Sequence, residues 1–350
     1  MTDNDSTLPR KQGVSRLGLY LPTSLLLLIA TAWSGFWFYS AQATNRALDE
    51  FVVREASQGR TWTCTDRRLG GYPFRLELRC AAVGFKSNEG GRPVDVRLGE
   101  VTVVAQIYNP KLVLADATAP LDVSIDQTSS RIEWKALRIS LRLAGGDLQR
   151  LSMSATAPRA TQSPGAPESE FRAQNAELHL RPDFAQGTGA LDVALAATGA
   201  VVPALDRAID STDPANLEIS AVVKGLTAKP RGDWKEAVEA WRLGGGQVEV
   251  ATARLVKGPF QAEATGLLDL DDDRRLRGKL DASAIGAGPL MSRWGISSGN
   301  NLQQALGGLL GKRADSIISA AAAMKWPVRF ENGRVSVGPV RTPIQIPALY

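Results

Sequence analysis

The sequence predicts a mainly β protein with a few helices, an α+β chain in which an N-terminal transmembrane helix leads into an extended, curved antiparallel β-sheet or β-groove. Three observations predict it. Residues 17–39 form an uncharged run, LGLYLPTSLLLLIATAWSGFWFY. Segment after segment beyond it alternates apolar and polar residues with period two, the mark of half-buried strands. The helical patterns that interrupt these segments are short.

The elements follow in order. Residues 1–16 are a polar tail carrying Arg10, Lys11 and Arg16. The uncharged run after them is long enough to cross a hydrocarbon core of roughly 30 Å at about 1.5 Å per residue. Basic residues before the run and Trp33, Trp37 and Tyr39 at its far end, placed as an interfacial aromatic belt, predict a single-pass inner-membrane protein with a cytoplasmic N-terminus and a periplasmic remainder. Ala41-Gln42-Ala43 also fits a cleavage site, so a removed signal peptide is the alternative. The run exceeds the roughly 7–15 residues of a signal h-region, which favours an uncleaved anchor over 17–41. In residues 44–58, Leu48, Phe51, Val52 and Ala56 recur at helical spacing and predict a stalk helix over 42–59.

The chain's only cysteines, Cys64 and Cys80, bracket the string GGYPFR. In an oxidising compartment such a pair forms a structural disulfide, with buried free thiols as the alternative. Phe74, Leu76, Leu78 and Cys80 alternate with Arg75, Glu77 and Arg79, so this stretch reads as a strand. Pairing it with residues 62–66 about a turn at Tyr72 sets Cys64 opposite Cys80 and Trp62 opposite Ala82, a cross-strand bridge. Gly70, Gly71, Tyr72 and Pro73 supply the turn, and Arg75 projects beside it, placed to meet a phosphate or a carboxylate.

Alternation continues through Val94–Leu98, Leu121–Ile125, 137–143, Leu151 and Met153, which gives an N-terminal β-rich part over 60–157. Residues 158–170 (PRATQSPGAPESE) lack period and read as a loop and internal boundary. The C-terminal β-rich part, 171–350, continues with 176–180, 191–195 and 217–221, with short helices at Pro203–Ile209, at 233–242 with Asp233 as N-cap, and at about 300–324. Asn332-Gly333, between Val328/Phe330 and Val335/Val337, predicts a hairpin with a type I′ turn.

Composition narrows function. Hydrophobic residues make up 44% of 350 and charged residues 22%, enough to build a core, and the net charge of +5 is scattered along the chain. Nucleic-acid binding calls for a clustered basic face, so no nucleic-acid partner is expected. His179 is the only histidine and falls on the polar side of its strand, which disfavours a His-based triad and a zinc site. The glycine-rich 306–313 string has Leu306 where a phosphate-binding loop needs its first glycine and Arg313 where it needs Ser or Thr. Asp269, Asp271 and Asp273 have calcium-loop spacing, but Arg274 and Leu280 occupy the required glycine and glutamate positions, so a hairpin turn is expected. The expectation is therefore no metal, no cofactor and no catalytic residue.

The anchor, Trp62 and Cys64, Gly70–Arg75, Cys80 and the later WRLGGGQVEV at 241–250 resemble the bacterial domain-of-unknown-function 2125 family across nearly all of the chain beyond the membrane. The resemblance implies an envelope compartment and no assigned activity. The hairpins at 265–281 and 329–340 are similar in cadence to AsmA-like envelope proteins, which implies a β-groove for lipid. The leading expectation is a non-enzymatic envelope protein that binds or shields a lipid-like ligand or supports envelope assembly, with the inner membrane and a lipid or envelope protein as partners. A structural or protein-interaction module is the alternative, and a carboxylate-based hydrolase ranks third.

Overall fold

The structure, a computed structural model, describes residues 16–88, 92–145, 147–163, 170–183, 189–227, 234–288, 326–338 and 340–350. Helix α1 (Arg16–Ser57) is continuous, so the expected anchor and stalk are one element. Arg10, Lys11, Asp233, the 306–313 string and the expected 300–324 helix lie outside the described residues.

After α1 the chain runs back and forth in seven strands that each bend once. Arg60–Thr65 (β1) bends into Arg68–Gly70 (β2), Arg75–Cys80 (β3) into Ala82–Ser87 (β4), and Val94–Leu98 (β5) into Val101–Gln106 (β6). Asn109–Ala117 (β7) bends into Leu121–Ile125 (β8), Thr128–Glu133 (β9) into Ala136–Ala144 (β10), Asp147–Thr156 (β11) into Arg159–Ser163 (β12), and Phe171–Arg172 (β13) into Asn175–Asp183 (β14). One half of each joins a seven-stranded sheet, β1-β4-β5-β8-β9-β12-β13; the other half joins a larger sheet that begins β2-β3-β6-β7-β10-β11-β14. The two sheets are thus two walls of one creased sheet. Hydrogen bonds persist through the crease, where Ala81 N donates to Thr65 O (2.8 Å), Thr118 N to Glu100 O (2.8 Å) and Ala157 N to Gln174 O (2.7 Å).

The larger wall continues through Gly189–Ala200 (β15), Ala215–Leu226 (β16), Gln247–Lys257 (β17), Phe260–Leu270 (β18), Leu276–Ile285 (β19), Trp326–Glu331 (β20), Arg334–Val337 (β21) and Val340–Gln345 (β22). Its fifteen strands, spaced about 4.8 Å apart, measure roughly 65–70 Å along the sheet. Helix α2 (Pro203–Ile209) connects β15 to β16, and α3 (Trp234–Leu243) connects β16 to β17. The predicted strands and these two helices are all present. In the β20–β21 hairpin Asn332 and Gly333 have φ of 51° and 71°, the left-handed conformation of the expected turn, and Phe330 faces Val335.

Two expectations change. β1 pairs with β4 and not with β3, so Cys64 faces Val83 and Trp62 faces Phe85. The reason is the crease: the chain bends at Asp66 (φ 49°) and again at Ala81, which sends β3 into the other wall against β2 and β6. The disulfide does join Cys64 to Cys80, with Cα atoms 5.2 Å apart, but it ties wall to wall. Residues 158–170 are also not all loop, because Arg159–Ser163 forms β12 against β9. The larger wall runs unbroken past them through the β11–β14 pairing.

Closing a loop of sixteen residues' separation stabilises by about 3 kcal/mol in the chain-entropy model. Replacing both Cys64 and Cys80 by serine is expected to lower the unfolding free energy in urea by about that amount, and a loss under about 1 kcal/mol would show that other contacts hold the walls together.

Candidate functional site

Strand alternation sorts the residues of the larger wall onto two faces. Across it, the register aligns Leu78, Val103, Ala115, Ile139, Met153, Leu178, Leu195, Ile219, Ala253, Ala264 and Ala282 in one row. A second row runs from Cys80 through Leu137 and Leu217 to Ala284, and a third from Leu76 through Leu141, Val193 and Gly266 to Leu280. All three hold apolar residues and the one glycine. The opposite face carries charge in cross-strand pairs, including Arg181–Asp192 (2.5 Å), Lys224–Glu249 (2.5 Å) and Arg254–Glu263 (3.2 Å).

The smaller wall sorts the same way, with Cys64, Val83, Leu98, Leu121, Ile132, Ala160 and Phe171 in one apolar row. Cys64 lies on the apolar face of one wall and Cys80 on that of the other, and the two are bonded. The apolar faces therefore turn toward each other, and the crease encloses an apolar trough. It is not packed to the density of a core. No member of the larger wall's middle row is fully buried, and Leu195 remains 37% exposed.

Both ends of the crease are closed. At the first, α1 lies on the apolar faces: Trp37 and Ala41 pack with Ile107, Leu69 and Leu76, and Phe51 meets Trp62 with ring centroids 6.1 Å apart. At the second, Leu205 of α2 packs with Phe171, Ala200, Ala215 and Leu217. Beneath α2 the fully buried Lys257 directs Nζ to Asp206 Oδ1 (2.6 Å) and to the Asp213 carbonyl.

Farther along the larger wall, α3 sits over the same apolar face. Ala237, Val238 and Trp241 cover Val223, Val248, Leu270 and Leu276, and Leu349 helps enclose a cavity of about 380 Å³ between them. Trp241 donates Nε1–H to Lys224 O (2.7 Å) and lies flat on Gly246, where a Cβ would come within 2.2 Å of the indole. That contact accounts for the tryptophan and the last glycine in WRLGGG, and Gly245 adopts φ of 73°. The helix is held from outside: Arg242 pairs with Glu239 (2.9 Å) and Asp272 (2.9 Å), Arg274 approaches Glu239 (3.5 Å), and the Tyr350 hydroxyl donates to Glu239.

The Arg242 guanidinium, with help from Tyr350, holds the Glu239 carboxyl down at about 2, below its ordinary 4.5. A depressed folded-state value means that this tether is fully present above pH 4.5 and is lost as the pH falls from 4.5 through about 2. Hydrogen-exchange protection of α3 should therefore decline across that window, and Glu239→Gln should flatten the decline.

A larger cavity of about 890 Å³ borders the β18–β19 and β20–β21 turns. Several of its acids have partners: Asp269 with Arg277 (2.8 Å), Asp272 with Arg242 (2.9 Å), Asp273 with Arg275 (3.4 Å) and Asp281 with Lys279 (2.8 Å). Asp271 Oδ1 accepts from Arg275 N (2.8 Å), and Arg274 adopts φ of 62°, so the aspartate-rich string is the expected hairpin turn.

The residues of the 70–75 turn and the aromatic residues of α1 gather at the first end of the trough. Arg75 N donates to Gly71 O (3.1 Å), closing the turn, and Gly71 has φ of 97° with the Arg75 carbonyl 2.7 Å from where a Cβ would stand. Gly70 ends β2, and Tyr72, Pro73 and Phe74 form the turn's crest. Trp33 donates Nε1–H to Pro73 O and Trp37 to Arg75 O, each at 2.9 Å, so these two tryptophans bind the turn. Tyr39 points outward, 71% exposed. Arg75 is spoken for by Glu77 (2.8 Å). His179 is half exposed beside Glu177 (3.5 Å).

What single-strand reading missed is the crease, and phase shifts in the alternation mark it. The apolar face passes from Leu98 to Val101, from Ile132 to Leu137 and from Ala155 to Ala160 by odd steps, each of which would reverse the face of an unbent strand.

No curated protein matches the chain. A family model does, over residues 37–345, from the buried Trp37 through β22, and the chain belongs to that family, DUF2125, described as an uncharacterized protein conserved in bacteria.

Proposed function

We propose that this protein is a non-catalytic component of the cell envelope, fixed in the inner membrane by α1 with its walls in the periplasm, whose trough holds the acyl chains of a lipid-like ligand. The observation that carries the reading is the unbroken, half-exposed apolar face of the larger wall. Apolar surface left in water is costly at roughly 25 cal/mol per Å², and a ligand of CH₂ units recovers about 0.8 kcal/mol for each one it buries there. The uncharged helix preceded by basic residues supports the anchor and its orientation, the disulfide supports an oxidising compartment, and the ion pairs that hold Asp269, Asp272, Asp273 and Asp281 beside the cavities support a binding role over hydrolysis.

The test is mass spectrometry of the intact protein extracted from its own membranes in mild detergent, with its organic extract analysed beside it. An enriched lipid class at near-stoichiometric amount is expected. A lipid-free protein that retains a tightly associated protein partner would replace this reading with that of an interaction module.

A further inference from the structure

The docking of α1 on the 70–75 turn sets a length that does not match a membrane. Contacts begin at Trp33 and Ser34, whose side chains reach Pro73 O (2.9 Å) and the Tyr72 hydroxyl (2.8 Å). Of the uncharged run only residues 17–32 precede them, about 24 Å at 1.5 Å per residue in helix, whereas the hydrocarbon core is about 30 Å thick. The uncharged run continues to residue 39. If α1 spans the bilayer, the turn meets it before the helix has left the apolar layer.

The rim of the larger wall is built for that position. Tyr72, Phe74 and Tyr108 are 55%, 63% and 63% exposed, and Tyr108 lies beside Phe74, whose carbonyl accepts from Ile107 N (3.1 Å). Phe38 stacks on Tyr72 with centroids 6.0 Å apart, and Trp33 tilts against Phe74 at 6.3 Å. Tyrosine and tryptophan, here Tyr72, Tyr108 and Trp33, pair an apolar ring with a polar tip, and membrane–water boundaries select such side chains.

We propose that this rim, Tyr72–Phe74 with Tyr108, is seated in the interfacial layer of the bilayer, so that the larger wall rests on the membrane and its apolar face starts, at Leu76, next to the acyl chains. The inference rests on α1 spanning the membrane. It makes the membrane a surface that the β-sheet itself contacts, and it provides a short path from a leaflet to the trough.

Site-directed spin labelling tests it, because both native cysteines are bonded to each other and single cysteines can be introduced by Tyr108→Cys, Phe74→Cys, Leu27→Cys and Gln127→Cys. Leu27 is near the middle of the uncharged run, and Gln127 is an exposed turn residue at the edge of the smaller wall that contains Arg60, beside the far end of α1. The full chain is reconstituted in phosphatidylcholine vesicles, and each label's exposure to oxygen and to a water-soluble nickel chelate is compared. Labels at Tyr108 and Phe74 are expected about 5–10 Å inside the headgroup boundary, that at Leu27 deeper, and that at Gln127 in water. A Leu27 label in the hydrocarbon with Tyr108 and Phe74 labels as open to nickel as Gln127 would overturn the seated rim alone. A Leu27 label open to nickel would overturn the spanning helix, and the rim with it.

Discussion

Replacing Ile139 and Leu195 together by aspartate will strip the purified protein of acyl-chain ligand and weaken binding of a fluorescent fatty-acid probe by roughly 100-fold, about 2.7 kcal/mol. Both residues stand in the middle apolar row, Ile139 on β10 and Leu195 on β15. A ligand lying along that row would have to desolvate two carboxylates with no partner, each at a cost of several kcal/mol in an apolar setting. Folding should survive, because the row is half open to water and an aspartate there stays hydrated without ligand; the circular dichroism spectrum checks this. Arg138→Ser supplies the contrast. Arg138 neighbours Ile139 but projects from the charged face, where it is 80% exposed, and its loss should leave probe affinity unchanged. Equal loss in both variants would move the ligand off the trough.

The largest stability effect is expected at Lys257. Its side chain has no contact with water, and its ammonium is satisfied by Asp206 and the Asp213 carbonyl. Lys257→Ala leaves the largely buried Asp206 carboxylate, 18% exposed, without its cation, which costs about 3–5 kcal/mol. Because Asp206 belongs to α2, the loss should be accompanied by release of that helix from the end of the crease. Lys257→Met with Asp206→Leu replaces both charges by apolar groups of similar reach and should recover most of the stability. Urea unfolding of the two variants and of each single change closes the cycle, and a double variant as unstable as Lys257→Ala would show that the pair is not the source.

Local patterns were readable because they depend on neighbours in sequence. The period-two runs gave the strands, Asn332-Gly333 gave its hairpin, and the residues of α2 gave their helix. The pairing of Cys64 with Cys80 was also legible, since no other partner is available to either. Its geometry was not. Pairing about the Tyr72 turn assumes a straight β3, whereas the strand leaves one sheet at Cys80 and enters the other at Ala82. The two tryptophans of α1 have a second role that their spacing does not show: each indole donates to a carbonyl of the 70–75 turn, and only the placement of Pro73 and Arg75 reveals it. The trough was visible as strands with one apolar face, but which way the faces turned depended on the crease.

The bent strands have a consequence for how such a protein can change in size. Each hairpin of bent strands, within β1–β14, carries its own piece of both walls and of the crease, so adding or deleting one such pair leaves every other cross-section as it was. The span changes by about 10 Å per pair while the width stays fixed. α1 acts on the first strands of the creased part, and the α2 plug acts where the smaller wall ends. Growth by repetition between two unchanged ends would let such a scaffold match molecules of different length without redesigning how it grips them.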